Sequence, residues 1–547
     1  MCDCKPARLD RRAFLGGIAA TGTLAMATPA MVARADERAP AFRPRGPGQD
    51  EVAEASITEL GGRMAAGATT AVALTRTYLS RIESIDRSGP TLRSVIEVNP
   101  DAEAIAAELD RERAAGNVRG PLHGIPVLVK DNLDSGDRME TSAGSLALLG
   151  GRPTRDSEVV ARLRAAGAIL LGKTNLSEWA NIRSEHSSSG WSGRGGQTKN
   201  PYVLDRNPCG SSSGSGAAIA ASLAAAAIGT ETNGSIVCPS NANGLVGIKP
   251  TLGLVSRRGI VPIAHSQDTA GPMARTVTDA LLILAAIVGA DPEDAITTTA
   301  RSVDLDPAKV LDPKALAGAR LGVARNYLGF HPKVDAVFEQ SLAALRAAGA
   351  EIVDPIDLAT PREYGGDSYT VLLYELKADL AAYLATRPAG VKVRTLADVI
   401  AFNDAHADAE MPIFGQDIFL LAESKGPLTD QAYLDALAKA KRLAGPEGID
   451  RVCSEHQLDA IIAMTGGPAW VTDWVNGDHF GGGCSSPAAV AGYPHVTVPA
   501  GFVHGLPVGL SFFGPAFTDA RQISLAYAFE TATTARRAPG YLPHVAI

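Results

Sequence analysis

The sequence predicts an α/β fold, and three features carry that prediction. From Gly124 onward, short apolar runs ended by polar residues or glycine alternate with alanine-rich helical stretches, as strands and helices do in turn. Hydrophobic residues make up 46% and charged residues 20% of the 547-residue chain, enough apolar material for a large packed core. The 56 glycines and 34 prolines punctuate periodic segments instead of gathering in one tract, so the bulk of the chain is expected to fold. At this length one large domain with a continuous sheet and two intimate domains both fit the pattern.

Taken in order, Asp10-Arg11-Arg12-Ala13-Phe14-Leu15 sets twin arginines before the weakly apolar run Gly16 to Val32. Ala33-Arg34-Ala35 then supplies small residues at the positions a signal peptidase reads. The run is too short and too rich in Gly, Ala and Thr to span a bilayer. Residues 1–35 are therefore expected to be a twin-arginine export signal, leaving a periplasmic or secreted mature protein with no stable membrane insertion. Residues 36–50, rich in Pro, Arg and Gly, read as a flexible mature start.

Ser56-Ile57-Thr58-Glu59 has the form of a helix capping box, and the run from Thr70 to Ile85 places Leu74, Tyr78, Ile82 and Ile85 on one helical face. Ile125 to Val129 and Ala168 to Leu171 read as strands, with a helix from Ser157 closed by Gly167 between them. Ser215 to Ala227 reads as a small-residue helix. Arg320 to Ala324 and Ile461 to Ala463 complete the strands, with helices near 333–348 and 367–385.

The formal charge of −8, with no long basic run, excludes an electrostatic footprint for nucleic acid and favours a small-molecule or peptide substrate. Cys2 and Cys4 leave with the signal. The remaining four, Cys209, Cys238, Cys453 and Cys484, show no C-x-x-C or Cys/His metal spacing. A twin-arginine substrate folds before it meets an oxidising compartment, so four buried thiols are the default expectation and a disulfide among them the alternative, with no metal and no cofactor.

Pro208-Cys209-Gly210-Ser211-Ser212-Ser213-Gly214-Ser215-Gly216 places hydroxyls among glycines just before a helix. No Lys-Ser or Lys-Thr follows, so it is not a nucleotide phosphate loop. Gly210 to Gly214 matches G-x-S-x-G, but the preceding residues are polar and broken by Pro201 and Pro208, where a nucleophile elbow needs an apolar strand. A second centre is Gly229-Thr230-Glu231-Thr232-Asn233-Gly234-Ser235. Small or flexible residues before a serine can aim several backbone N–H groups at one point, as an oxyanion hole requires. Ser211 and Ser235 are 24 residues apart, room for one helix and a return to the same sheet end.

A serine nucleophile needs a base, and the scattered histidines carry no motif. Lys130, ending the run Ile125 to Val129, is the alternative: desolvation at a buried strand end lowers a lysine from about 10.4 toward neutrality. The plain reading of a lysine there is a solvated or ion-paired side chain. Among lesser candidates, Lys173 reads as structural or solvated, and Ser212 and Thr232 read as loop supports. Asp131 and Asn132 either brace the lysine or close its strand. Trp470, Trp474 and Phe480 lie in a glycine-rich stretch that walls an acyl pocket or covers a loop.

Together, Gly124 to Asn132, Cys209 to Gly216, Gly229 to Pro239, Gly247-Ile248-Lys249-Pro250-Thr251, Asp268 to Arg275 and Gly492-Tyr493-Pro494 resemble the amidase signature family. Leu176 to Asn181, Gly195 to Tyr202 and Ile236-Val237-Cys238-Pro239 resemble its bacterial peptide-amidase branch. The resemblance implies a single large mixed β-sheet covered by helices on both faces. It places the family's domain over residues 36–547, as an N-terminal helical part (36–105), a catalytic core (106–280) and a remainder carrying sheet and pocket elements (281–547). It implies a Ser-cisSer-Lys triad of Ser235 (nucleophile), Ser211 (proton bridge) and Lys130 (base), with oxyanion donors from the backbone of Thr232, Asn233, Gly234 and Ser235. The implied activity is hydrolysis of carboxamide bonds through an acyl-enzyme, on C-terminal amides of peptides with release of ammonia. Aryl acylamides, carbamates and amide oligomers suit the same triad. A noncatalytic or amidotransferase-type subunit is the reading of another class.

Overall fold

A computed structural model describes residues 51–359 and 361–545. The expected export signal, and the mature start at 36–50, lie outside the described residues. Near the described start, Ser56 and Glu59 form the capping box reciprocally and open a helix, Ile57–Ala65. Thr70 caps a second, Ala71–Arg81, which buries Leu74 and Tyr78 and runs on into a wider helical turn, Ile82–Arg87, that buries Ile82 and Ile85.

The strands, in chain order, are β1 (Val95–Val98), β2 (Pro126–Lys130), β3 (Ile169–Thr174), β4 (Trp191–Ser192), β5 (Gly196–Gln197), β6 (Ala226–Glu231), β7 (Val246–Lys249), β8 (Thr269–Ala274), β9 (Arg320–Val323), β10 (Glu351–Val353), β11 (Ala460–Met464), β12 (His495–Val503) and β13 (Leu506–Phe513). β4 and β5 pair with each other as a separate ribbon, and the other eleven form one sheet. Its order is β1-β3-β2-β6-β8-β7-β12-β13-β11-β9-β10. β2 runs parallel to β3 and β6, and β9 runs parallel to β10 and β11. The remaining pairs are antiparallel, so the sheet is mixed. Every residue of β2, β3, β6, β8 and β13 is buried, which a strand achieves only when both faces of its sheet are covered.

The helix expected over Ser215 to Ala227 is a correction. It spans Ser213–Ala220, and the chain turns at Ser222 in the left-handed region, φ +53°. Ala226 and Ala227 instead begin β6, between β2 and β8. Alanine's helix preference is worth only a few tenths of a kcal/mol per residue over other good formers. Pairing with two strands gives the same residues a complete set of backbone partners in a buried setting. Small side chains let that short helix seat closely: a Cβ on Gly214 would lie 2.3 Å from Ser94 O and 2.4 Å from Asn175 O. Gly214→Ala is therefore expected to destabilise the protein by about 3 kcal/mol in urea unfolding, because backbone must move to admit the methyl.

The parallel register places Val129 beside Ile228. Lys130 and Glu231, the last residues of β2 and β6, thus emerge together at the carboxyl edge, where α/β sheets carry their sites.

Candidate active site

Lys130 is wholly buried, with Nζ 2.7 Å from Ser211 Oγ, 2.9 Å from Thr230 Oγ1 and 3.4 Å from Thr230 O. Asn132 Nδ2 donates to the same threonine hydroxyl at 2.9 Å. Burial lowers the lysine to about 7, against an upward pull from the carboxylates of Asp268 and Glu231. Taking an ammonium out of water costs more than those two charges return, so the neutral amine is available near pH 7.

Ser211 follows a cis Gly210-Ser211 peptide, and its carbonyl accepts the Ser177 N–H at 3.0 Å. No side chain fits at Gly210, where a Cβ would meet Ser177 Oγ at 2.1 Å. Ser235 is partly exposed, on the loop from β6 to the helix Val237–Ala242. Its carbonyl accepts the Ser212 N–H at 3.2 Å, joining the two serine loops.

Several anchors shape the loop before Ser235. Glu231 Oε2 accepts the N–H groups of Ile236 (2.8 Å) and Val237 (3.1 Å). Thr232 Oγ1 donates to Asp268 at 2.6 Å, while Asn233 is held by Ser485 (2.7 Å) and Ser486 (3.2 Å). Gly234 adopts φ +83°, where glycine is unstrained. Among the described residues, no acceptor takes the backbone N–H of Thr232, Asn233, Gly234 or Ser235. Four free donors beside a partly exposed hydroxyl can receive an oxyanion. Asn233 and Gly234 line a cleft of about 620 Å³ walled also by Gly210, Trp470, Asp478 and Phe480, among others.

A family model described as Amidase matches residues 73–522. This chain belongs to the amidase family. The crystal structure of the peptide amidase from Stenotrophomonas maltophilia superposes with a TM-score of 0.85 at 52% identity, over 89% of this chain and 99% of that one. A probable amidase from Arabidopsis thaliana is 41% identical over 471 residues, covering 84% of this chain and 87% of its own length. One component of the glutamyl-tRNA(Gln) amidotransferase of Salinispora arenicola is 35% identical, covering 87% and 97%. The fold and the enzyme class, an amide-hydrolysing amidase, thus agree with what the sequence motifs implied.

Other candidate residues of this amidase separate cleanly. Lys173 is buried and structural, its amine held by Leu133 O and by Thr141 Oγ1 at 2.9 Å. Asp131 closes its strand: it pairs with Arg194 at 3.2 Å and with the Ser142 hydroxyl, and leaves the lysine alone. Asn132 instead braces the threonine that holds the amine. Ser212 Oγ bonds the Thr230 backbone on both sides, to O at 3.1 Å and from N at 3.2 Å. It supports the loop, and no strand leads into it as an elbow requires. Trp470 and Phe480 wall the cleft edge to face at 5.9 Å. Trp474 stands outside it, donating to Gln197 Oε1 at 3.1 Å.

The cysteine expectation is overturned. Cys209 and Cys238 form a disulfide with Cα atoms 6.0 Å apart, while Cys453 and Cys484 are buried free thiols. Twenty-nine residues separate the bridged pair, so no short spacing announced it. Only the return of both loops to one sheet edge brings the sulfurs together. Thr230, Glu231 and Asp268 belong to the sequence motifs, and only the structure gives each an individual role. An acidic residue ending the otherwise uncharged strand β6 was the available signal, since a buried carboxylate needs donors.

A second cavity, about 300 Å³, lies beyond Thr230 and Thr232. Its charges are paired internally: Arg257 with Asp294, and His265 with Asp379 at 2.9 Å.

Proposed function

We propose that this amidase removes the carboxamide from peptide C-termini as ammonia, through an acyl-enzyme on Ser235. The observation that carries the mechanism is the direct contact of 2.7 Å between Lys130 Nζ and Ser211 Oγ. Neutral Lys130 takes the proton of Ser211 as Ser211 takes that of Ser235, and the freed oxygen attacks the amide carbonyl. The N–H groups of residues 232–235 receive the oxyanion, an interaction worth about 3 kcal/mol per donor in comparable sites. The relay then delivers a proton to the leaving nitrogen, and water releases the acid by the same route reversed.

The peptide substrate is supported by the 52% identity to the S. maltophilia peptide amidase. It is supported further by a cleft whose aromatic wall, Trp470 and Phe480, suits an apolar side chain. We extend the proposal to export by the twin-arginine segment; the Cys209–Cys238 bridge supports an oxidising destination, where disulfides persist, and its closure would follow transit of the folded, reduced chain.

The deciding experiment assays the mature protein, recovered from the exported fraction, on peptide amides, peptide acids and anilides. Ammonia release from peptide amides is expected with kcat/KM at least about tenfold above arylamine release from anilides, a difference in transition-state binding. The recovered N-terminus is expected at Asp36. Preferred arylamine release would replace the substrate assignment, and a lone chain inert on every amide would favour an amidotransferase-type subunit.

A further inference from the structure

We infer that the Cys209–Cys238 disulfide is a positioning element of catalysis, clamping the Ser211 loop to the Ser235 loop so that full turnover belongs to the oxidised enzyme. The inference rests on the roles proposed above for the two serines.

Cys209 lies two residues before Ser211, and Cys238 three after Ser235. Between the serines, the chain makes the helix Ser213–Ala220, turns at Ser222 and runs through β6. Their relative position is therefore set where the loops meet. Besides the Ser212 Oγ–Thr230 backbone bonds and the Lys130 bridge from Ser211 to Thr230, two hydrogen-bond ties join the loops there. The Ser212 N–H reaches Ser235 O at 3.2 Å, and Asn243 Nδ2 bridges Pro208 O at 2.9 Å and Pro239 O at 2.8 Å. The disulfide adds the covalent tie.

Cys209 also sits at φ +57°, a left-handed conformation disfavoured for a side-chain-bearing residue, with its N–H held by Asn207 Oδ1 at 2.8 Å. Freeing its sulfur removes one of the constraints that keep it there, and Gly210-Ser211 follows directly. A proton relay tolerates little displacement, since each heavy-atom gap must stay near ~2.6–3.2 Å. Both cysteines, though buried, line the substrate cleft, from which a small dithiol can approach the bridge, whereas Cys453 and Cys484 do not line that cleft.

Reduction by dithiothreitol is balanced. Its thiolate attacks one sulfur to give a mixed disulfide, and its second thiol closes the reductant's ring. Two electrons and two protons have then passed to the bridge, leaving two cysteine thiols. Oxidised glutathione reverses the exchange. A chain that crosses the membrane folded and reduced would gain its turnover in the compartment that closes the bridge.

The test measures kcat, KM and the pH profile on one peptide amide for four preparations: oxidised wild type, dithiothreitol-reduced wild type, the same protein reoxidised with glutathione disulfide, and the Cys209→Ser/Cys238→Ser double variant. Mass spectrometry verifies the thiol state. The expected result is a kcat at least about tenfold lower in the reduced protein and the double variant, with KM within about threefold, a displaced acidic limb, and recovery on reoxidation. Cooperative unfolding and an unchanged circular dichroism spectrum at the assay temperature complete it. Reduced protein and double variant that keep kcat within about twofold of wild type overturn the inference, as does activity lost only through unfolding in both arms. Oxidised Ser235→Ala serves as the separate control. If it turns over normally, the triad itself fails; if it is silent while the reduced enzyme is fully active, only the clamp fails.

Discussion

Ser235→Ala is expected to lower kcat on a peptide amide about ten-thousandfold or more, with KM little changed. Deleting the nucleophile of a serine hydrolase removes the covalent route and leaves only what the oxyanion donors and binding supply. Those donors belong to the backbone of residues 232–235 and survive the substitution. Ser212→Ala is the informative companion. Its hydroxyl is buried and engaged by both polar groups of the Thr230 backbone, so its loss is expected to cost at most about tenfold, through a looser loop. Ammonia release gives the rates, and peptide mapping after rapid acid quench gives the acyl site. Wild-type enzyme trapped in turnover should carry the acyl group on Ser235. An adduct on Ser212, or a Ser235→Ala enzyme with more than about a hundredth of wild-type turnover, would return the nucleophile to the G-x-S-x-G loop.

Which parts of this molecule could be read from sequence follows from which parts are local. Ile125 to Val129 and Ala168 to Leu171 read as strands because β-branched and leucine runs are bounded by glycine. Ser56, Thr70 and Ser157 announced helix starts because capping is a matter of a few consecutive residues. The later strands hid behind proline. β8 carries Pro272 opposite Ile228 in mid-sheet, and β12 shifts register between Pro499 and Gly501. Proline normally argues against a central strand, so Thr269–Ala274 reads as part of a motif and no strand is read over His495–Val503. The alanine run 224–227 misled in the opposite sense, because its conformation is decided by the neighbouring strands.

The same division governs the site. Lys130, Ser211 and Ser235 stand out as candidates because each lies in a distinctive segment, and the structure brings Lys130 Nζ to Ser211 Oγ. Thr230 as the lysine's second contact, Glu231 as the anchor of the Ser235 loop, and the 209–238 bridge depend on segments meeting in space. No single window of sequence contains those relations.

Lys130→Met is expected to lower kcat/KM at least about a thousandfold, since methionine fills a similar volume but accepts no proton from Ser211. In the wild type, kcat/KM should rise with pH through about 7, the value to which burial brings the amine. Below it the lysine is charged and cannot act as a base. Asp268, raised by burial to about 6, is the neighbouring group in that range. Its oxygens are already engaged, by Thr232 Oγ1 at 2.6 Å and by the N–H groups of Ile263 and Ala264 at 2.8 and 2.9 Å, so it holds the loop and does not serve as the base. Stability should carry the same signature. Between about 7 and the ordinary lysine value of 10.5, the unfolded chain binds a proton at this position that the folded protein does not. Folding therefore releases a proton, and wild-type stability relative to Lys130→Met should increase by about 1.4 kcal/mol per pH unit from roughly 7 to 10. Urea unfolding of both proteins across that range measures the difference directly. A flat difference, or an activity limb centred near about pH 5, would place an ordinary charged lysine at the end of β2 and move the base to a carboxylate.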